Sequence, residues 1–209
     1  MLISIVYDSG YGHTARQAQA VATGVREVHG AKAKLIAVAD GPIAWEELEA
    51  SDAIIFGSPT YNGCLSARLK QFFEDSTTPV WRELKWRNKI AAGFTNSGAQ
   101  NGDKLNTLMS IALFAAQHAM IWVGLDLLPG NSSGTGSGQD LNRLGSWLGA
   151  MAQSNMDEGP EAAPPESDLR TAAHLGRRVA EITSRLHQIG PITDKEPEQA
   201  AEMADALAS

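Results

Sequence analysis

The sequence contains a single cysteine, Cys64, among 209 residues. One cysteine cannot form an intramolecular disulfide or supply a thiolate metal cluster, which needs several sulfur ligands. No run approaches the 18 apolar residues of a membrane-spanning helix, and the first residues form a strand-like pattern without the charged lead of a signal peptide. We therefore expect a cytoplasmic protein with no disulfide, no metal centre and no membrane span.

Basic residues are also scarce, with 17 Lys and Arg against 24 Asp and Glu, for a net charge of −7. A protein that binds nucleic acid needs clustered basic side chains to contact the phosphates, so we expect no nucleic-acid partner. The acidic residues are unevenly distributed along the chain, because residues 190–209 hold five of them and only one lysine. This composition predicts a mobile, solvated tail after a globular domain that spans residues 1–189.

The most informative stretch lies between an apolar run, Leu2 to Val6, and a helix-like segment that starts at Thr14. Residues 7–14 read Tyr-Asp-Ser-Gly-Tyr-Gly-His-Thr. A strand that ends in such a turn just before a helix directs free backbone N–H groups and a positive helix end at one small volume, which suits a phosphate. The hydroxyl and imidazole groups favour a terminal phosphate monoester. The loose match to G-x-G-x-x-A leaves a dinucleotide open, and a capped turn that binds nothing is the third interpretation.

Strand-like and helix-like segments alternate along the rest of the chain. The strands are predicted at 2–6, 33–38, 52–57, 89–95 and 120–123, and the helices at 14–29, 45–50, 66–74, 105–118 and 167–187. Such alternation predicts parallel pairing through right-handed crossovers, and hence a doubly wound α/β fold with a five-stranded parallel sheet and helices on both faces. Residues 126–165, rich in Gly, Ser and Pro, interrupt the pattern as a long excursion.

Ligands of open α/β sheets bind beyond the carboxyl ends of the strands. Two further loops end predicted strands there, Ser58–Gly63 and Asn96–Gly102. Both offer small residues, backbone N–H groups and neutral hydrogen-bonding side chains, without a carboxylate pair, a Ser-His-Asp order or metal-ligand spacing. Together with the first loop they predict a site for a phosphorylated planar ring.

Three motifs carry a family resemblance: Tyr11-Gly12-His13, Phe56-Gly57-Ser58-Pro59-Thr60 and the loop from Thr95 to Gly102. In this order and spacing the chain resembles the WrbA family of flavodoxin-like NAD(P)H:quinone oxidoreductases, from Ile3 to Leu186. The resemblance implies a flavodoxin-like fold, FMN as cofactor, NAD(P)H as electron donor and a quinone as acceptor. It also implies a homo-oligomer, a tetramer in the family, with Trp81 and residues 126–165 at or near subunit contacts.

The same resemblance assigns site residues. Those implied to wrap the FMN phosphate are Ser9, Tyr11, Gly12, His13 and Thr14. Those implied to lie along one edge of the isoalloxazine ring are Pro59, Thr60, Tyr61, Asn62 and Gly63. Those implied to hold the ribityl chain and the ring from the other side are Thr95, Asn96, Ser97, Gly98 and Gly102. His118 is implied to approach the pyrimidine end as a catalytic group, with a C-terminal helix cap as the alternative. The residues themselves, apart from the resemblance, place Tyr61 and Trp81 at the substrate pocket: Tyr61, beside Asn62-Gly63, is a candidate for stacking on the flavin, and Trp81, in a polar run, is expected to border a site or an interface, with core packing as the alternative.

Two features depart from the family pattern. Tyr61 stands where the family has an arginine beside the flavin, which affects the recognition of nicotinamide or quinone. The linker from Ala39 to Ser51 is shorter than usual.

Three functions are consistent with these residues: an FMN-dependent NAD(P)H:quinone reductase with ping-pong kinetics, a one-electron carrier of the flavodoxin type, and a flavin-binding regulatory protein without turnover. The long excursion favours the reductase, since a minimal carrier has no need of it.

Overall fold

A computed structural model describes residues 1–190 of the chain. The strands are β1 (Leu2–Tyr7), β2 (Lys32–Ala37), β3 (Ala53–Tyr61), β4 (Cys64–Leu65), β5 (Ile90–Ser97), β6 (Ile121–Trp122) and β7 (Ala150–Gln153). The helices are α1 (His13–Arg26), α2 (Trp45–Glu49), α3 (Ala67–Asp75), α4 (Lys104–Gln117) and α5 (Glu166–Ile189), and a short 3₁₀ turn covers Trp81–Glu83. The predicted acidic tail lies, except for Gly190, outside the described residues.

The sheet runs in the order β2-β1-β3-β5-β6, with these strands parallel. The register places Ile5 of β1 opposite Leu35 of β2 and Ile55 of β3, and Ile55 opposite Ala92 of β5. This order and direction confirm the predicted flavodoxin-like α/β fold. Residues 1–190 include no helix with the length and apolar character needed to cross a membrane.

Helices cover both faces of the sheet because alternate strand residues point to opposite sides. Ile3, Ile5 and Ile55 pack on one face against α1 and α5, whereas Val6 and Phe56 pack on the other against α2, α3 and α4. Helices α1 and α5 approach so closely that a Cβ on Gly24 would lie 1.8 Å from the carbonyl oxygen of Ala173. Both predicted helix layers therefore bury apolar cores.

The fifth strand of the sheet is made of two pieces. Strand β6 pairs with the start of β5, at Ile90 and Ala91, and β7 pairs with its end, from Phe94 to Ser97. The sequence predicts one strand at 120–123 and none in the excursion, so the strand at Ala150–Gln153 corrects that interpretation. Its short sequence, Ala-Met-Ala-Gln, has no β-branched or aromatic residue and so gives little β signal by itself.

The third strand is also longer than predicted. Backbone pairing continues through Ser58, Pro59 and Thr60 to Tyr61, which pairs antiparallel with Cys64 of β4. The turn between them consists of Asn62 and Gly63, whose φ angles of 49° and 78° both lie in the left-handed region. An Asn-Gly pair is typical of a two-residue hairpin turn, which requires positive φ at both positions. The predicted loop is thus a strand end followed by a tight hairpin.

Candidate functional site

The carboxyl ends of β1, β3 and β5 surround a cavity of about 780 Å³, within the range of roughly 300–1,000 Å³ usual for small-molecule sites. Its wall consists of Ser9, Tyr11, His13 and Thr14 after β1, Pro59, Thr60, Tyr61 and Asn62 at the end of β3, Asn96, Ser97 and Gly98 at the end of β5, and Ser154, Met156, Glu158 and Gly159 after β7. The structure therefore brings the three predicted loops together.

One end of the cavity is the start of α1. Gly12 precedes the helix with a φ of 88°, and no side chain caps the first turn in the usual way. The Ser9 hydroxyl accepts a hydrogen bond from the Ala15 amide at 3.1 Å, while the amides of His13 and Thr14 have no carbonyl partner within the helix. Two unpaired N–H groups and the positive end of a 14-residue helix form a site for an anion.

The segment after β7 is fastened onto this end. The Nε2 atom of His13 lies 2.8 Å from the carbonyl oxygen of Glu158, and the Arg16 guanidinium donates to the carbonyl oxygen of Pro160. Pro160 also lies against Gly12, where a Cβ atom would lie 2.8 Å from its Cγ. The first loop is therefore enclosed by residues almost 150 positions away.

Tyr61 forms another part of the wall, where its hydroxyl contacts the first loop. A Cβ on Gly10 would lie 2.5 Å from the Tyr61 Oη, and the Gly10 backbone forms a hydrogen bond with that hydroxyl. Burial raises the pKa of Tyr61, and the Asp8 carboxylate and Tyr11 raise it further. Tyr61 is thus a neutral side chain that packs edge-on against Tyr11, with ring centroids 6.3 Å apart.

Behind the cavity, three buried threonines are joined by hydrogen bonds between their hydroxyls. The Thr60 Oγ1 lies 2.8 Å from both the Thr95 Oγ1 and the Thr107 Oγ1. This network joins β3, β5 and α4 under the wall, and buried hydroxyls held in this way fix side-chain rotamers. Thr95 itself is fully buried, so it supports the wall instead of lining it.

The loop after β5 is supported from below by Lys104, the first residue of α4. Its ammonium donates to the Ser97 Oγ at 2.8 Å and to the carbonyl oxygens of Ala99 and Gln100 at 3.0 and 2.6 Å. Burial lowers the pKa of Lys104 to about 8. Asp168 raises this pKa and Arg143 lowers it, both by smaller amounts. The sequence pattern does not indicate a role for Lys104, because a lysine at the start of an amphipathic helix is rarely buried.

His118 lies away from the cavity. It is 2% exposed and packs against the rings of Trp86 and Phe114, with centroids 4.8 and 4.4 Å away. The Ser76 hydroxyl donates to the Phe73 carbonyl, so it accepts from the His118 Nε2 at 3.1 Å. The other ring nitrogen has no partner among residues 1–190. A protonated ring would therefore bury an unpaired N–H group.

Burial accordingly lowers the pKa of His118 to about 4. The expectation that His118 approaches the pyrimidine end of a flavin is not met, because the aromatic cluster on the α4 side of the sheet encloses its ring. Trp81 is also absent from the cavity wall; it is 37% exposed, and its indole N–H donates to the carbonyl oxygen of Gln117.

The remaining predicted residues lie at the edges of the wall. Gly12 and Gly63 are in the turns that precede α1 and β4. Gly102 is the last residue of the third loop, where a Cβ would lie 2.4 Å from the Ser97 Oγ. The residues missed by motif reasoning are the four after β7. The Gly-Pro content of that stretch predicts a loop but not the position of its side chains.

The chemistry of the wall fits a phosphorylated planar ring. Glu158 is the one Asp, Glu, Lys or Arg residue in it, and most of the other side chains carry hydroxyl or amide groups. Residues 1–190 contain no group of three His, Cys, Asp or Glu residues placed to hold a metal ion. Unpaired amides at the start of α1 suit phosphate, and the backbone and amide groups near Asn62 and Gly98 suit the polar edge of a heterocycle. The site therefore fits FMN.

Comparison with known proteins gives consistent results. The family model described as NADPH-dependent FMN reductase matches residues 8–128. The chain is 42% identical to flavodoxin FldP of Pseudomonas aeruginosa over 187 residues, which cover 88% of this chain and 97% of that protein. It is 35% identical to an NAD(P)H dehydrogenase (quinone) of Geobacter sulfurreducens, with 90% of this chain and 100% of the relative covered.

Among solved structures, the flavodoxin, WrbA-like protein from Agrobacterium tumefaciens superimposes with a TM-score of 0.68 at 38% identity, and the match covers 88% of this chain and 98% of that one. These matches confirm the resemblance to WrbA-like proteins that the three sequence motifs predict.

Proposed function

Because the chain belongs to the NADPH-dependent FMN reductase family and is thus an oxidoreductase, we propose that its cavity holds FMN and that the protein transfers two electrons from NAD(P)H to a quinone. The observation that carries this proposal is the meeting of three loops with hydrogen-bonding groups around one cavity, with a helix start at one end. When bound, FMN supplies the redox chemistry, and the protein orients it.

The phosphate is held by the first loop. His13 and Thr14 line the cavity at the helix start, so their amides and the Thr14 hydroxyl are the groups that would bind the phosphate, and the Ser9 hydroxyl fixes the loop through its bond with Ala15. The His13 ring is held by the Glu158 carbonyl, which keeps it beside the anion site. Hydrogen bonds to an ionised phosphate are stronger than those between neutral groups.

The ring is held between two walls. Pro59, Tyr61 and Asn62 form one, while Ser97 and Gly98 form the other. Tyr61 remains 39% exposed and Tyr11 77% exposed, so the mouth of the cavity stays open beside them. A single open face admits either a nicotinamide or a quinone against the ring, which predicts alternating binding and ping-pong kinetics.

The experiment is anaerobic reduction of the FMN-loaded protein. Addition of NADH or NADPH should bleach the flavin absorbance in one step, benzoquinone should restore it, and initial-rate plots should give parallel lines. Intersecting lines, or absorbance that NAD(P)H leaves unchanged, would contradict the reductase. The Tyr61→Arg variant restores the positive charge that the family has at this position, whereas Tyr61→Phe only removes the hydroxyl. Comparing the two shows whether the missing charge or the hydroxyl affects the reaction.

A second function, a one-electron carrier, is favoured by the relative of 42% identity that is named a flavodoxin. A carrier needs an exposed ring edge and gives two separate one-electron steps with negligible NAD(P)H oxidation. The same titration, carried out with dithionite and then with NADH, decides between the two.

We also propose a homo-oligomer, a tetramer as in the family, in the cytoplasm. The support is an apolar stripe on α4, where Leu105, Met109 and Leu113 recur at four-residue spacing and are 53, 55 and 64% exposed. Trp81 lies near the end of the same helix. Light scattering should show a multiple of 22.2 kDa, and Met109→Lys should dissociate it, whereas Ile189→Lys, at an 81% exposed position outside both the stripe and residues 126–165, should not.

A further inference from the structure

Lys104 is buried to an extent that is unusual for a lysine, with 1% of its surface exposed. Removing an ammonium group from water costs several kcal/mol unless all its donors are paired. Here the Ser97 hydroxyl and the carbonyls of Ala99 and Gln100 take its three N–H groups. All three acceptors lie in the loop after β5, and Ser97 lines the cavity.

This loop is polarised along its length. The Ser97 and Gly98 carbonyls accept from the Ser154 amide at 3.0 Å and from the Gln153 side chain at 2.9 Å, and the next two carbonyls accept from Lys104. Four consecutive carbonyl oxygens therefore point to donors within the protein. A trans peptide directs its N–H opposite to its C=O, so the amides of residues 98–101 point the other way.

Among residues 1–190, none of those four amides donates to a protein acceptor. The loop thus has four amides without a protein acceptor in this part of the chain, and Gly98 places the first of them at the cavity wall. Such preorganised amides stabilise negative charge without having to reorganise.

The charge of Lys104 is not cancelled by a partner of its own. The acidic group that acts on it, Asp168, forms a two-bond pair with Arg143, with both bonds at 2.8 Å. Two cations and one carboxylate leave a formal charge of +1 below the loop. Burial strengthens the effect of that charge, because little water screens it.

We propose that Lys104 is a positioning residue that favours negative charge on the bound flavin, acting through Ser97 and the amides of residues 98–101. The proposal rests on FMN being the ligand. A hydride carries two electrons and one proton, so the ring that accepts it from NAD(P)H gains one negative charge and the nicotinamide gains one positive charge. Lys104 therefore raises the reduction potential of FMN in this site.

Lys89 provides a matched control. Its ammonium also donates to two backbone carbonyls, those of Glu49 at 2.7 Å and Ser51 at 2.6 Å, and burial lowers its pKa too. It directly precedes β5, whereas Lys104 follows the strand, so the two lysines lie at opposite ends of the sheet.

The experiment measures the two-electron potential of bound FMN and the Kd of oxidised FMN in the full chain, for Lys104→Met, Lys104→Gln, Lys104→Arg and Lys89→Met. In the two neutral variants at position 104, the ratio of affinity for reduced FMN to affinity for oxidised FMN should fall about tenfold. This fall corresponds to a two-electron potential about 30 mV lower than in the wild type. Lys104→Arg and Lys89→Met should each change it by less than a third of that.

Equal potentials for Lys104→Met, Lys104→Gln and Lys89→Met would overturn the proposal. So would loss of oxidised FMN from both neutral variants, because Lys104 would then build the site whatever the redox state. A wild-type chain that binds no FMN is a separate result, which overturns the proposed function before any variant is compared.

Discussion

The Nε2 atom of His13 lies 2.8 Å from the carbonyl oxygen of Glu158, 145 residues further along the chain. This contact joins the first loop of the sheet to the segment after β7. The end of the cavity at the start of α1 is therefore assembled from segments far apart in the chain. Changes in either segment should act on the other.

Substitution of Gly12 tests that enclosure. An alanine there has to adopt a φ of 88° and places its Cβ 2.8 Å from Pro160. Gly30 has a similar φ, 77°, but open space around it. Gly30→Ala should cost about 1 kcal/mol of unfolding free energy from the backbone alone. Gly12→Ala should cost more and weaken FMN binding. Adding Pro160→Ala removes the Cγ atom but leaves the Cβ atom at 3.0 Å, so it should recover part of the difference. Equal losses for the two glycine variants would show that Pro160 does not press on the loop.

Thr14→Val should weaken FMN by about 1–3 kcal/mol if the Thr14 hydroxyl binds the phosphate as proposed, since a bond to an ionised partner is stronger than average. Thr14 is buried in the cavity wall. Thr23, on the same helix, is exposed, and its hydroxyl bonds the Gln19 carbonyl. Thr23→Val should leave the Kd unchanged, as measured by flavin fluorescence quenching. An unchanged Kd for Thr14→Val would place Thr14 outside the phosphate site.

The buried His118 should make stability depend on pH. Its folded-state pKa, about 4, lies below the usual 6.5, so the unfolded chain takes up the proton first as the pH falls. Stability is therefore lost between pH 6.5 and 4, by about 2 kcal/mol at pH 5. Urea unfolding at pH 7 and pH 5 should show this difference shrink in His118→Gln.

The exposed His29 supplies the control for that measurement. His29→Gln should keep the wild-type dependence on pH. Because His118 lies outside the cavity, His118→Gln should also retain NAD(P)H oxidation. A large drop in kcat at unchanged FMN affinity would restore the catalytic role predicted from the family pattern.

The ion pair of Asp168 with Arg143 should matter far more than a surface pair. Asp168 is 1% exposed and also accepts from the Gln153 amide at 2.9 Å. Asp168→Asn removes the charge opposite a largely buried guanidinium, which should cost about 3 kcal/mol. Glu74→Gln, in the exposed pair with Lys70, should cost less than about 0.5 kcal/mol. Similar urea midpoints for the two variants would contradict this difference.

The sheet and the three loops were predictable because each follows from a local pattern. The apolar run of β1 and the turn that ends it lie within 14 residues, and the Asn62-Gly63 pair indicates the positive φ angles that the hairpin adopts. A strand end, a turn and a helix start are each decided by neighbouring residues.

The rest of the site depends on long-range packing, which a local pattern does not contain. Nothing in the sequence around Glu158 or Pro160 indicates that their carbonyls meet His13 and Arg16. Likewise, only the packing around Trp86 shows that the His118 ring turns into the core. Lys104 stands at a helix start, where a solvated lysine is the ordinary outcome, and its burial follows from the three acceptors above it.

The split of the fifth strand also bears on aggregation. An open sheet exposes unpaired backbone groups at its outer strands, where another chain can add by hydrogen bonding. On one side that outer row consists of two pieces, β6 with two residues and β7 with four, neither of which offers a long continuous template. On the other side, the outer strand β2 carries Lys32 and Lys34, and charged side chains discourage the pairing of another strand with this edge. Both borders of this sheet thus resist edge-to-edge association.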